Sequence, residues 1–450
     1  MSIERVGVVG AGTMGAGIAQ LACVGGFETW MHDPIPDALA AGEKRVADGL
    51  SKGASKGMWS DDEAAAARER LHLAGDLEAI GECQLVIEAA PEDLAVKREL
   101  FDRLASICGP DAILATNTSS LSVTAIAAGT ERPERVCGMH FFNPPPLMRL
   151  VEIVSGDDTA AEAAHAATEV ARAMRRDPIQ AADGIGFVAN RCARPFTLEA
   201  LRLLGERIAS MDQIDRIVRI GGGFRMGPFE LMDLVGVDVN FEVAKSFWEQ
   251  SFHEPRWQPH PIQARTVAAG RHGRKTGRGY YDYTQGSPRP DDPEPPSSEP
   301  GWERKPEVED SVHHVALPDL ETSPLVELGR DDSLSDEDAA TVERYFRAAG
   351  KHVEWVGDAP GLVLGRILAQ IVNEAHFAVD QGVATAEDCD TAMRLGFNWP
   401  RGPFEWGAAI GLKRAVAILD ALHRSLGEER YRVSPLLRRR AGAEPQPEWS

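Results

Sequence analysis

The chain is short of aromatic residues, of cysteines and of long apolar runs, and each shortage removes a class of protein. No stretch approaches the roughly eighteen consecutive apolar residues that a membrane helix needs, so no membrane partner is expected. Met1 to Gly10 lack the basic segment, apolar core and small-residue cleavage site of a secretory leader, which points to the cytoplasm. The six cysteines, Cys23, Cys83, Cys108, Cys137, Cys192 and Cys389, are too scattered for a disulfide framework or a close-spaced metal pair. They read as small core residues, and no metal is expected. Basic residues are also scarce: 48 Lys and Arg face 69 Asp and Glu, a net charge of −21. Nucleic acid needs a basic surface, so it is not an expected partner.

What remains is ordinary globular composition, 43% hydrophobic and 26% charged, over 450 residues, enough for two or three domains. The first part alternates short apolar runs with helical patterns, the signature of a parallel sheet covered by helices. Strands are predicted at Arg5–Val9, Glu28–His32, Leu85–Glu88, Ala112–Thr116, Val136–His140 and Leu150–Val154. From about Asp183 long helices take over, such as Asn190–Ile208 and Met211–Ile220. Between Ser287 and Asp310, seven prolines and eight acids in twenty-four residues make a linker. Beyond it, Ala339–Ala349 has a helical pattern and His352–Val356 a strand pattern.

An internal repeat then emerges. Asp183 to Gly236 aligns without a gap on Asp358 to Gly411 at an offset of 175, pairing Arg191 with Arg366, Glu199 with Glu374, and Gly227-Pro228-Phe229-Glu230 with Gly402-Pro403-Phe404-Glu405. The helical domain is therefore duplicated, and its two copies are expected to pack as two subunits of a homodimer would. The boundaries so drawn are 1–182 for the sheet domain, 183–286 for the first helical domain and 287–311 for the linker. A vestigial α/β segment follows at 312–357, and the second helical domain at 358–450. The second copy has Gly365 where the first has Asn190, and no second glycine motif precedes it, so one nucleotide site per chain is expected.

Gly10, Gly12 and Gly15 form G-x-G-x-x-G between the first strand and a helix starting near Met14. The motif alone is weak, since a bare strand-to-helix turn can carry it. In this context it suits a pyrophosphate at a helix N-terminus, with Thr13 and Met14 beside it. Asp33 ends the second strand, where a carboxylate accepts ribose hydroxyls and repels a 2′-phosphate, favouring NAD over NADP.

His140 stands at the C-terminal end of a predicted strand, where ligands of open α/β folds bind. Glu152, flanked by Val151 and Ile153, needs a partner if buried, and His140 is the obvious one. A lone histidine is more often structural, but a carboxylate-held histidine suits a general base. Asn117, Thr118, Ser119 and Ser120 follow another strand at the same sheet edge; their plainer role is an N-cap for a helix from about Val123. Lys52 and Lys56 form a short basic patch, on the plainer view an exposed helix face.

With these residues in place, the chain resembles the bacterial NAD-dependent 3-hydroxyacyl-CoA dehydrogenases, above all their two-repeat form in phenylacetate breakdown, which acts on 3-hydroxyadipyl-CoA. The likeness covers nearly the whole chain and is most specific from His140 to Glu152. It implies a Rossmann-type doubly wound domain followed by two repeated all-α C-terminal domains, and oxidation of a (3S)-3-hydroxyacyl-CoA to the 3-oxoacyl-CoA. It further implies His140 as base, Glu152 as its partner, Ser119 and Asn190 as contacts to the substrate oxygens and the histidine, and Asp33, Glu92, Lys97 and Asn117 along the NAD site. Lys56, or Lys52 in its place, would meet the CoA phosphates. One departure stands out: where the family has proline after Asp183-Gly184, this chain has Ile185, whereas the second copy keeps Pro360. A looser turn before Asn190 is expected. Competing readings are a lysine-dependent hydroxyacid dehydrogenase of the same architecture, a short-chain 3-hydroxybutyryl-CoA dehydrogenase, and a non-catalytic nucleotide-binding protein. A dicarboxylic acyl group would need a distal cation, for which Arg149, Arg191 and Arg225 are candidates.

Overall fold

A computed structural model describes residues 3–284, 292, 294, 296, 297, 312–314, 323–330 and 334–443. The linker expected at 287–311 lies almost wholly outside the described residues. The chain forms two compact units, one of residues 1–189 with 382–396, the other of residues 190–381 with 397–450.

The first unit is built on eight strands: β1 (Arg5–Val9), β2 (Glu28–His32), β3 (Leu71–Ala74), β4 (Leu85–Glu88), β5 (Ile113–Thr116), β6 (Val136–Phe141), β7 (Leu150–Ser155) and β8 (Asp177–Ala182). Their order is β3-β2-β1-β4-β5-β6-β7-β8. All neighbours run parallel except β6 with β7. Central strands such as β4 and β6 are buried at every residue, which is why they appear in the sequence as unbroken apolar runs. The two strands the periodicity misses, β3 and β8, are the two edges. Half-exposed residues and Pro178 leave no such run there.

Six helices pack on this sheet: α1 (Thr13–Val24), α2 (Pro36–Ser55), α3 (Asp61–Glu69), α4 (Leu94–Ile107), α5 (Val123–Ala127) and α6 (Ala161–Ala173). From Gly15 to Cys23, α1 is buried at every residue, as its all-round apolar composition requires. Gly17 on α1 lies so close to Pro145 that an added Cβ would be 3.0 Å from its ring, so the nucleotide helix supports the proline loop after His140.

The second unit begins with α7 (Ala189–Gly205), whose first residue still belongs to the first unit, α8 (Met211–Arg216), α9 (Pro228–Val235), α10 (Val237–Gln250) and α11 (Pro261–Ala268). The helix expected at Met211–Ile220 changes to a π-helical turn at Ile217–Gly221. A small sheet follows, β9 (Val312–His314), β10 (Leu325–Arg330) and β11 (His352–Gly357), with α12 (Asp336–Ala348) between its last two strands. The chain closes with α13 (Leu364–Asp380), α14 (Ala386–Gly396), α15 (Pro403–Ile410), α16 (Leu412–Leu426) and α17 (Pro435–Ala443).

The repeat begins well before Asp358. β10, α12 and β11 each lie 175 positions after β7, α6 and β8, with identical lengths. β10 pairs parallel with β11 and antiparallel with β9, as β7 does with β8 and β6. The segment is thus a copy of the last strands of the first sheet. The helical copies pack reciprocally: Arg191 Nε donates to Glu374 Oε1 at 2.7 Å, and the equivalent Arg366 donates to the equivalent Glu199. Such an exchanged pair is the mark of a twofold interface. All four side chains are buried.

The turn before α7 has the same backbone conformation with or without proline: Phe187 has φ 49° and its equivalent Leu362 has φ 47°. Within the second helical copy, α14 lies in the first unit. Ala182 N, at the end of β8, donates to Val383 O at 2.8 Å, and Gly396 packs on β7.

Candidate active site

Antiparallel pairing of β6 with β7 sets His140 directly opposite Glu152. Side chains opposite each other in such a pair share a face, so twelve residues of sequence become one contact. His140 Nδ1 lies 2.5 Å from Glu152 Oε2, both side chains buried. The other carboxylate oxygen accepts the amides of Val188 at 3.0 Å and Ala189 at 2.9 Å, at the start of α7, where free N–H groups and the helix dipole favour negative charge. Glu152 is therefore anchored on both oxygens. With Nδ1–H donating to this carboxylate, Nε2 is the basic nitrogen. The ring is held by Phe142, 4.6 Å between centroids, and Phe187 at 5.8 Å. Neither phenylalanine was singled out from the sequence.

Gly10 has φ 101°, a conformation that other residues adopt at a cost, and a Cβ on Gly15 would lie 1.8 Å from Gly10 O. Gly12, by contrast, faces open space, with nothing within 4 Å of where its Cβ would be. No side chain caps α1, which starts at Thr13 and Met14, so the motif presents a bare helix N-terminus beside an open glycine. A cavity of about 670 Å³ opens there, lined by Gly10, Gly12, Asp33, Leu77 and Val96 among others. Asp33 Oδ2 accepts Ala11 N at 2.9 Å and Oδ1 accepts Ile35 N at 3.0 Å, so this carboxylate also braces the glycine turn. Glycine turn, helix end, cavity and carboxylate together fit a dinucleotide.

The loop after β5 is organised by Glu92. Its Oε1 accepts Thr118 Oγ1 at 2.6 Å, Ser120 Oγ at 2.9 Å and Ser119 N at 3.1 Å. Burial works to raise the Glu92 carboxyl, but these hydrogen bonds and the charge of Lys97 outweigh it and hold it below its ordinary range. Lys97 is itself buried, 2.5 Å from Glu88 Oε1, and Thr116 Oγ1 donates to the other oxygen of Glu88 at 2.7 Å. Glu88, missed from the sequence, was readable there as a second carboxylate ending an apolar strand. Asn117 Oδ1 accepts Phe141 N at 2.8 Å, tying this loop to the residue after His140. Ser119 is exposed. The N-cap of α5 is Ser122, which accepts Ala125 N at 3.0 Å, and none of Asn117 to Ser120.

Asn190 follows directly on Ala189 and falls in the second unit. Lys52, in the last turn of α2, and Lys56, just past it, are both exposed and carry no ion pair among the described residues. Of the three candidate arginines, Arg149 pairs with Asp177 and Arg191 with Glu374, whereas Arg225 is exposed without a carboxylate partner among the described residues.

Comparison with known proteins agrees with this geometry. The family model for the NAD-binding domain of 3-hydroxyacyl-CoA dehydrogenases matches residues 5–184, and that for their C-terminal domain matches twice, at 186–283 and 361–445. The chain is 38% identical to the 3-hydroxyadipyl-CoA dehydrogenase of Escherichia coli over 98% of both proteins. It is 39% identical to a probable 3-hydroxybutyryl-CoA dehydrogenase of Bacillus subtilis, over 63% of this chain and 99% of that one. Among solved structures, one described as 3-hydroxybutyryl-CoA dehydrogenase from Escherichia coli superposes with a TM-score of 0.91 at 37% identity, over 99% of each chain. The chain belongs to the 3-hydroxyacyl-CoA dehydrogenases, a family of NAD-dependent oxidoreductases.

Proposed function

We propose that the enzyme oxidises the 3-hydroxyl of a (3S)-3-hydroxyacyl-CoA, with His140 as the base. The observation that carries this is the His140–Glu152 pair, at 2.5 Å and anchored on the amides that open α7. His140 Nε2 takes the hydroxyl proton while C3 gives up its hydride, and Glu152 stabilises the imidazolium so formed. NAD, bound at the glycine turn, supplies the hydride acceptor. Ser119 and Asn190 meet the substrate oxygens, and Lys56, with Lys52 as the alternative, meets the CoA phosphates. A lysine-dependent mechanism is disfavoured because Lys97, beside this loop, is buried against Glu88.

We take the acyl group to be 3-hydroxyadipyl, the substrate named for the full-length relative, with Arg225 as the cation for its terminal carboxylate because it alone of the three arginines lacks a carboxylate partner. The name of the superposing structure favours a second reading, 3-hydroxybutyryl-CoA. Initial rates with NAD and NADP on both thioesters decide between them. Higher kcat/KM on 3-hydroxyadipyl-CoA, reduced in Arg225→Ala, supports the first. Equal or better turnover of 3-hydroxybutyryl-CoA overturns it, and no NADH from either thioester overturns the enzymatic reading.

No disulfide joins the six cysteines, all of them buried, which suits a reducing compartment, and burial pushes the thiols of Cys83 and Cys137 up to about 12. We place the enzyme in the cytoplasm. The reciprocal Arg191–Glu374 and Arg366–Glu199 pairs support its helical unit as a pseudo-dimer within one chain.

A further inference from the structure

The helical unit holds a separate cavity of about 620 Å³, within the range of small-molecule sites. Its walls come from the end of α7, the stretch before α11, α11 itself, and the chain around Arg430. Two glutamates line it, and both are held by arginines, Glu206 by a guanidinium that it shares with Glu199. Glu206 receives Arg366 Nη1 at 2.6 Å and Nη2 at 2.8 Å, and Glu428 receives Arg430 Nε. Arg202 makes no ion pair among the described residues, donating there to the main-chain carbonyls of Leu198 and Gln258, each at 2.9 Å, with Glu199 and Glu428 acting on it from further off. Arg207 and Arg265 are exposed and make no ion pair among the described residues.

His260 also lines the cavity, and its Nδ1 accepts Ile262 N at 3.2 Å. Burial first, then the charges of Arg202 and Arg265, push its pKa down to about 4 against the opposing pull of Glu206 and Glu199. The arginines of this cavity gather in a chain whose net charge is −21.

The repeat separates scaffold from function here. In the second copy the positions equivalent to Arg202, Glu206 and Arg207 hold Phe377, Gln381 and Gly382. The same helix end therefore forms without Arg202 or Arg207, so these two cations are not a requirement of the fold.

We propose that this cavity binds a small phosphorylated metabolite, its phosphate held by Arg202, Arg207 and Arg265. Guanidinium groups pair with phosphate oxygens in bidentate fashion, and three without carboxylate partners offset a dianion. The volume leaves room for the organic part of the molecule.

Calorimetric titration of the full chain, saturated with NAD to block the pyrophosphate site, tests this with glucose 6-phosphate, inorganic phosphate and citrate. One site per chain is expected for the phosphate compounds, weakened roughly tenfold or more in Arg207→Ala/Arg265→Ala, with turnover unchanged. Arg265→Glu, at an exposed helix position, is expected to abolish binding without lowering the melting temperature. Undiminished binding in the double variant overturns the proposal, as does binding of neither phosphate compound. Citrate binding as tightly as the phosphate compounds overturns the assignment to phosphate.

Discussion

Glu327 stands to the start of α13 as Glu152 stands to the start of α7. The two lie 175 positions apart, both are buried, and each accepts two successive amides, Val363 and Leu364 for Glu327, Val188 and Ala189 for Glu152. The position equivalent to His140 is Val315. The second copy therefore keeps the glutamate without the histidine, so holding a helix N-terminus is a task of this carboxylate separate from catalysis.

That separation divides the effects of two substitutions. His140→Gln removes the proposed base and leaves the anchored carboxylate, so turnover is expected to fall roughly a hundredfold to ten-thousandfold while NAD affinity and melting temperature hold. Glu152→Gln keeps an acceptor for α7 and loses the charge facing His140, so turnover falls and the acidic limb of the pH–rate profile moves. Near-normal turnover in the first variant, or an unmoved profile in the second, counts against the pairing.

Glu327 carries a pH signature. Burial outweighs the two amides and pushes its carboxyl from 4.5 up to about 7. Between those values the folded chain holds a proton that the unfolded chain has released, so stability falls as pH rises through that window and levels above it. Glu327→Gln removes this contribution. Its melting temperature is expected to fall less between pH 5 and pH 8 than that of the unsubstituted protein. A slope remains, because burial also raises Asp215, to about 7. Identical slopes in the two proteins would show that Glu327 is charged throughout.

Asp33→Ala is expected to narrow the preference for NAD over NADP by removing charge repulsion of the 2′-phosphate. Asp33 also accepts Ala11 N and Ile35 N, so affinity for NAD itself drops in the same variant. A coenzyme preference that stays put would mean that the carboxylate only braces the turn.

One NAD per chain is expected by calorimetric titration, and Gly365→Asn is expected to add no activity. The second copy has β9 to β11 but no counterpart of β1, the glycine turn or α1 among the described residues. Two equivalent sites would overturn this.

Much of this was legible in the residues. The central strands announced themselves because burial on both faces demands apolar runs, and the glycine turn because backbone crowding there tolerates little else. His140 and Glu152 were legible because a charged residue inside such a run must be paid for by a partner. The edge strands β3 and β8 were not, since their part-exposed side chains break the apolar run. The Lys97–Glu88 pair was hidden because burial of a lysine depends on what folds over it. The true start of the repeat was visible and overlooked: Leu150-Val151-Glu152 recurs as Leu325-Val326-Glu327.

The place of α14 has a consequence for how the enzyme behaves when scarce. A Cβ added to Gly396 would lie 2.8 Å from Leu150 Cδ2 and 3.6 Å from the ring of Phe142, the ring that packs on His140. The second helical copy thus reaches the wall behind His140. Supplied by a separate molecule, that support would follow mass action and be lost on dilution. Tethered in the same chain, it stands at an effective concentration set by the connecting segment alone. This support behind His140 is then not lost when the enzyme is dilute.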